Sequence, residues 1–343
     1  MRFTLCLLGF GNVGRELVRL VDRKHGEIES RYSIDLRIVG IATGRHGIVM
    51  DQKGIDGEAA TGDWSRLLQQ IRQQTATALP DSFTLIRECG ADALIEMTPI
   101  DRDTGRPAID HIEAALNAGQ HAITANKGPL AHDYRRLRDL AAHKKRAFLF
   151  EATVMDGFPI FNLYRECLPA TKVLGFRGVL NSTTNLILTK MEEGMPFDDA
   201  VRHAQDIGIA ETDPSNDIDG WDSAVKVSAL CNVMMDADLR PQQVERAGIR
   251  GITPEQVRSA QSRRRKIRLM CSAEWRDGQL VSRVAPEEVA ANDPAYRLYG
   301  TTSTISIRTD TLNQLTLLET APTPAQTAFG VLADVLSAAR GHF

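Results

Sequence analysis

Phe3-Thr4-Leu5-Cys6-Leu7-Leu8-Gly9-Phe10-Gly11-Asn12-Val13-Gly14 decides how this chain folds. Residues 3–8 are an apolar run of strand length, and Val13, Leu17 and Val21 then recur at helical spacing. Between them the glycines keep a G-x-G-x-x-G spacing. In a strand–turn–helix context that spacing has a physical meaning. Gly9 permits the tight turn, Gly11 lets a pyrophosphate approach the backbone, and Gly14 lets helix and strand pack closely. The anion would rest on amides at the helix N-terminus, favoured by the helix dipole. Gly9, Phe10, Gly11, Asn12, Val13 and Gly14 are therefore the expected dinucleotide-binding residues. A glycine turn that serves packing alone is the competing explanation.

Working outward, Leu36–Ala42 reads as a second strand. A fold of this kind that takes NAD(H) usually offers an acidic residue at this strand's end, for the ribose 2′-hydroxyl. No Asp or Glu occurs between Val39 and Val49. Arg45 can instead neutralise a 2′-phosphate, with Thr43 as a hydrogen-bond donor, so NADP(H) is expected in preference to NAD(H). Alternation continues through a helix over 63–74 (Trp64, Leu67, Leu68 and Ile71 apolar), a strand over 93–97, a helix over 107–118 and a strand over 121–125. A helix over 130–143 and a strand over 146–150 complete it. Strands alternating with helices predict a Rossmann-type doubly wound parallel sheet, here residues 1–150, with ligands at the strands' carboxyl ends. Thr98 and Lys127 each follow a strand end, where a nicotinamide would lie.

Composition narrows the function classes. The chain has 343 residues, 43% hydrophobic and 25% charged, with net charge −3. That balance recommends neither nucleic acid nor a membrane surface as partner. The basic run Arg263-Arg264-Arg265-Lys266 falls in a helical pattern over 254–269 and reads as a solvated face. The cysteines at 6, 89, 167, 231 and 271 are scattered, without CxxC spacing, as expected of reduced, buried thiols in a cytoplasmic protein. Nothing approaches the roughly 20 apolar residues of a membrane span.

The pattern changes at Glu151. A second, mixed α+β domain for substrate and assembly is expected over 151–319. Its pieces are a Gly/Pro-punctuated loop (151–159), a strand over 173–180, and a helix over about 184–193 with Ser182 or Thr183 as N-cap. A helix over 197–207 and strands over 280–284, 303–308 and 314–319 follow. The last piece, 320–343, carries a helix (324–339) expected to pack back on the first domain. Between 211 and 226 five carboxylates and one lysine crowd together: Glu211, Asp213, Asp217, Asp219, Asp222 and Lys226. A helix starting near Asp219 or Gly220 places Asp222 and Lys226 one turn apart on one face. Alone, the stretch is equally explained as an acidic loop capping a helix.

Together these pieces resemble homoserine dehydrogenase over about residues 3–340. The resemblance is carried by the glycine motif, Thr124-Ala125-Asn126-Lys127, Glu151-Ala152-Thr153-Val154, Gly178–Asn185 and the pattern Ala210-Glu211-x-Asp213-Pro214-x-x-Asp217-x-x-Gly220-x-Asp222-x-Ala224-x-Lys226. It resembles the short form, without a regulatory domain. The resemblance implies reversible hydride transfer between NAD(P)H and L-aspartate-4-semialdehyde, giving L-homoserine, in amino-acid biosynthesis toward threonine and methionine. It implies Lys127 and Lys226 as catalytic lysines, with Asp222 assisting Lys226. Glu211 and Asp217 would meet the substrate amine, and Asn181 and Thr183 would line the substrate. It further implies a monovalent cation, sodium, at Glu151, Val154 and Asp156, and a homodimer through the second domain.

The chemistry agrees, because an aldehyde becoming an alkoxide needs a proton donor beside its oxygen. Three departures from the family pattern stand near the expected site. Ser182 replaces a glycine, the loop 154–159 is bulkier and more acidic, and Thr320-Ala321-Pro322-Thr323-Pro324 replaces a Gly-Ala-Gly stretch. They leave two alternatives to homoserine turnover: a paralogous NADP-dependent reductase of another small aldehyde, or a catalytically silent nucleotide-binding protein.

Overall fold

Arg2–Leu8 forms strand β1, and the turn at Gly9–Gly11 feeds helix α1 (Asn12–Tyr32) directly, as the glycine spacing demands. The computed structural model describes residues 1–44, 47–55, 57, 62 and 81–343. The expected helix over 63–74 and the expected 2′-phosphate ligand Arg45 lie outside the described residues. The chain divides into two compact units. One comprises Met1–Pro129, Asp133–Leu163 and Thr323–Phe343; the other comprises Leu130–His132 and Tyr164–Pro322.

The first unit is built on a six-stranded sheet. Its further strands are β2 (Asp35–Thr43), β3 (Gly47–Met50), β4 (Ala93–Glu96), β5 (His121–Thr124) and β6 (Phe148–Leu149), in the order β3-β2-β1-β4-β5-β6. All neighbours pair in parallel except β3, an antiparallel edge strand on β2. Helices α2 (Ser82–Glu88), α3 (Ala108–Asn117) and α4 (Gly128–Lys144) connect the strands. Leu5, Leu7, Leu17 and Ile95 are fully buried in the core between sheet and helices, each contributing roughly 1.5–3 kcal/mol by leaving water. Ala328, Val331, Val335 and Ala338 belong to the same core, which places the C-terminal helix on this sheet.

The second unit carries another six-stranded sheet. It contains β7 (Val173–Val179), β8 (Glu245–Arg246), β9 (Arg265–Arg276), β10 (Gln279–Ala290), β11 (Ser303–Thr309) and β12 (Gln314–Glu319), ordered β12-β11-β7-β9-β10-β8. Its helices are α5 (Ser182–Glu192), α6 (Phe197–Asp206), α7 (Trp221–Met234) and α8 (Pro254–Ser262), and the C-terminal helix of the first unit is α9 (Pro324–Ala339). Across the open sheet, Thr316, Ser306, Arg177, Ser272 and Arg283 stand in register as one polar row. A groove of about 560 Å³ runs over that face.

Several local expectations change. The helix expected over 254–269 stops at Ser262, because Arg264 turns left-handed (φ +55°) and Arg265 begins β9. Residues Ile267–Cys271 are buried without a break, since β9 is paired on both edges. An apolar run of that kind does not distinguish a central strand from a buried helix. The basic run therefore straddles a helix end and a strand, with Arg263 paired to Glu288 at 2.7 Å and Lys266 to Glu192 at 3.3 Å. The strand expected over 146–150 shrinks to Phe148–Leu149. Glu151–Thr153 is a 3-10 turn, and the segment to Leu163, expected in the second domain, clusters with the first unit. Cys167 is exposed; the other four cysteines are buried.

Candidate active site

In the first unit the sheet reverses its winding at β1, with β2 on one side and β4 on the other. Ligands of open α/β sheets lie outside the carboxyl ends of the strands at such a point. Gly9 ends β1 there with φ +90°, and any Cβ would collide with the Met97 carbonyl oxygen. Met97 N–H in turn donates to Leu8 O at 2.7 Å, so the glycine turn and the end of β4 are locked together. A Cβ on Gly11, by contrast, would meet no atom within 4 Å, and no side chain caps α1. The first-turn amides of Asn12, Val13 and Gly14 have no acceptor within their own helix. Open backbone beside an uncapped, positive helix end fits a pyrophosphate. The Arg15 guanidinium, 5.5 Å from the Phe10 ring centre, adds charge of the right sign. Thr43 spends its hydroxyl on the β2–β3 hairpin, donating to Gly47 O at 3.3 Å.

The loops after β4 and β5 are tied to each other by Asn126. Its Nδ2 donates to Thr98 O at 3.0 Å, and its Oδ1 accepts from Gly128 N at 2.8 Å. Lys127 is thereby held at the N-cap position of α4. Asn126 stands in the Thr124-Ala125-Asn126-Lys127 motif. Its signal was its place immediately before the lysine at a strand end.

In the second unit Asn181, Asp217, Asp222 and Lys226 converge. Asn181 follows β7 by two residues and is the N-cap of α5, its Oδ1 accepting from Thr184 N at 2.8 Å. Asn181, rather than Ser182 or Thr183, caps because it alone of the three has extended backbone with its side-chain oxygen over the first turn. The same amide donates from Nδ2 to Asp217 Oδ1 at 2.7 Å and to Asp222 Oδ2 at 3.0 Å. Gly220, left-handed at φ +78°, lets the chain turn from the Ser215–Ile218 helical turn into α7. Asp222 and Lys226 then face each other one turn apart, Nζ to Oδ2 3.2 Å, as the spacing predicts. Lys226 also donates to Leu180 O at 2.6 Å, a backbone partner no sequence pattern signalled.

Burial, reinforced by the Asp222 charge, pushes the Asp217 carboxyl above its ordinary value; Asn181, Thr183 and Lys226 pull it down. The arrangement is a lysine held by a carboxylate and a carbonyl, beside a second carboxylate: a proton donor next to an anchor for a cation. Glu211 enters none of the bonds linking Asn181, Asp217, Asp222 and Lys226, and it is exposed. Asp213 accepts from Ser215 N at 3.1 Å and holds the turn, while Asp219 pairs with Arg250 at 2.9 Å.

At the third expected group, both Glu151 carboxylate oxygens accept backbone amides, from Phe161 at 2.9 Å and Asn162 at 2.5 Å. Asp156 Oδ1 accepts from Thr327 Oγ1 at 2.8 Å, and Val154 is buried. Among the described residues no cluster of three or more His, Cys, Asp or Glu is placed to hold a metal ion.

A nucleotide-type parallel sheet, joined to a unit that presents a carboxylate-held lysine, defines the class as an NAD(P)-dependent oxidoreductase. Residues 9–151 match the family model for the homoserine dehydrogenase NAD-binding domain, and residues 159–336 match the homoserine dehydrogenase model. The chain is 34% identical over 339 residues to the homoserine dehydrogenase of Methanocaldococcus jannaschii, covering 97% of each. It is 32% identical over 337 residues to the NAD(+)-dependent homoserine dehydrogenase of Pseudomonas canavaninivorans, covering 97% of this chain and 95% of that one. The crystal structure of a putative homoserine dehydrogenase from Archaeoglobus fulgidus superposes with a TM-score of 0.85, at 27% identity and 98% coverage of both chains. The chain belongs to the homoserine dehydrogenase family.

Proposed function

We propose that this chain interconverts L-aspartate-4-semialdehyde and L-homoserine, with Lys226 as the proton donor to the carbonyl oxygen in the reducing direction. The Asp222–Lys226 contact carries this reading. A lysine ammonium oriented by an adjacent carboxylate can both polarise an aldehyde and protonate the alkoxide that forms. Asp222 and the Leu180 carbonyl orient the ammonium, and Asn181 holds Asp222 in turn. Asp217 supplies negative charge for the substrate's α-ammonium; Glu211, expected beside it, is assigned to the loop surface. Thr183 and Lys127 are donors for the substrate carboxylate, and Lys127 is a second charged group for the reacting centre. The nicotinamide nucleotide supplies the hydride when bound; Gly9–Gly14 would hold its pyrophosphate and Thr98 its nicotinamide end.

The dinucleotide is NADP(H) in preference to NAD(H), a choice supported by the absence of an acid after β2 and by Arg45. The relative named NAD(+)-dependent makes the comparison of the two cofactors decisive. Glu151, Val154 and Asp156 fit a monovalent cation poorly, since the carboxylates already accept amides and a hydroxyl. Two copies pair through the polar face of the second sheet, where arginines and carboxylates (Arg177, Arg283, Glu274, Glu287) offer both signs of charge. Among the described residues no helix is long and apolar enough to cross a membrane, and a cytoplasmic setting rests on the scattered cysteines.

The test is oxidation of L-homoserine by the purified protein with NADP⁺ and NAD⁺ in parallel. Turnover faster with NADP⁺ is expected, and folded protein inert with both would end the proposal. Light scattering on the same sample should give twice the chain mass.

A further inference from the structure

One buried carboxylate in the first unit has no part in the site described so far. Glu96 closes β4, is 0% exposed, and sits inside an otherwise apolar strand. A buried polar group is tolerated only where it is hydrogen-bonded. Its Oε1 accepts the Thr98 backbone N–H at 3.1 Å and also the Thr98 hydroxyl. Its Oε2 accepts the Thr124 hydroxyl at 3.1 Å. Behind it lies buried His111, whose Nδ1 is 3.8 Å from Oε1 and whose Nε2 meets Ser82 Oγ at 3.1 Å. Thr98 O is occupied as well, by Asn126 Nδ2.

The consequence is chemical. The Thr98 hydroxyl donates to Glu96 Oε1, so its single proton is committed inward. Toward the crevice Thr98 Oγ1 then presents lone pairs alone. The group it suits is an N–H donor, and on a nicotinamide that donor is the carboxamide.

We propose that Glu96 is a positioning residue that turns the Thr98 hydroxyl into an acceptor for the nicotinamide carboxamide. This deepens the dehydrogenase reading given above and rests on its cofactor assignment. Glu96 sets which ring substituent is recognised, and it fixes the ring's orientation for hydride transfer. Glu96→Gln keeps an oxygen for the Thr98 N–H and hydroxyl, while the Thr124 hydroxyl can accept from the new amide.

Calorimetric titration with NADP⁺ and with its 3-acetylpyridine analogue, which lacks the carboxamide N–H, tests this without any substrate. The wild type should bind the analogue about tenfold more weakly, the scale of one lost hydrogen bond of about 1.4 kcal/mol. Glu96→Ala and Thr98→Val should bind the two ligands equally, and Glu96→Gln should recover the preference. Equal binding of both ligands by the wild type overturns the proposal, as does a preference that survives in Thr98→Val. Should Glu96→Ala fail to fold, Thr98→Val and Glu96→Gln still decide the matter. A wild type that discriminates between the ligands yet leaves homoserine untouched would sink the substrate assignment and leave this inference standing.

Discussion

Lys226 Nζ lies 3.2 Å from Asp222 Oδ2, and both side chains are largely withdrawn from water, at 15% and 17% exposure. Partial burial reduces screening of the pair by solvent, and the contact fixes where the ammonium points. Lys226→Ala should lower kcat for homoserine by about 10²–10⁴-fold, the usual worth of a positioned proton-transfer group. The NADP⁺ dissociation constant should stay unchanged. Asp222→Asn should lower kcat less than Lys226→Ala does. If Lys226→Ala turns over at the wild-type rate in steady-state assays, the lysine has no chemical role.

Two glycines of one motif should fail in different ways. Gly9→Ala forces a side chain into a left-handed conformation, costing about 1–2 kcal/mol, and against the Met97 carbonyl besides. It should lower the melting temperature. Gly11→Ala adds a methyl to open space, so melting should hold while the KM for NADP⁺ rises by about tenfold or more, as the pyrophosphate loses its close approach. Melting curves and cofactor titrations of the two variants separate the roles; unchanged cofactor binding in Gly11→Ala would place the pyrophosphate elsewhere.

Asp217 should make stability depend on pH with a definite sign. Burial, then the Asp222 charge, raises its folded-state pKa above 3.8. The folded chain therefore holds that proton more tightly than the unfolded chain does. The stabilisation is full below the unfolded value and is lost as pH rises through the folded pKa. Asp217→Asn removes the titration, so it should melt above the wild type near neutral pH, with the gain shrinking as pH falls toward 4. A gain that grows on acidification would contradict the assignment.

Cofactor choice should respond to Arg45. Arg45→Ala removes the charge proposed to meet a 2′-phosphate and should cut the ratio of kcat/KM for NADP⁺ over NAD⁺ by about tenfold, with NAD⁺ turnover little changed. A ratio equal to the wild type's would assign the preference to other residues.

What the sequence determined by itself is whatever short-range spacing encodes. Glycines at successive intervals of two and three residues after an apolar run define a strand, a turn and a helix, because only glycine fits beside the Met97 carbonyl at φ +90°. A four-residue interval on a helix brings Asp222 to Lys226 whatever surrounds them. The C-terminal helix over 324–339 was legible from its periodicity alone.

Tertiary structure decided the remainder, where partners are distant along the chain. Residues 265–276 became a strand because β7 and β10 flank it, and the unbroken burial of Ile267–Cys271 hides a period of two. Asn181 became the hub of the second-unit cluster because folding brings Asp217 and Asp222, 36 and 41 residues away, to one amide. Glu211, in the same acidic run, was left outside it. Glu96 reads in sequence as a lone charge in an apolar strand. Only the packing of Thr98 and Thr124 around it shows why a carboxylate is kept where water cannot reach.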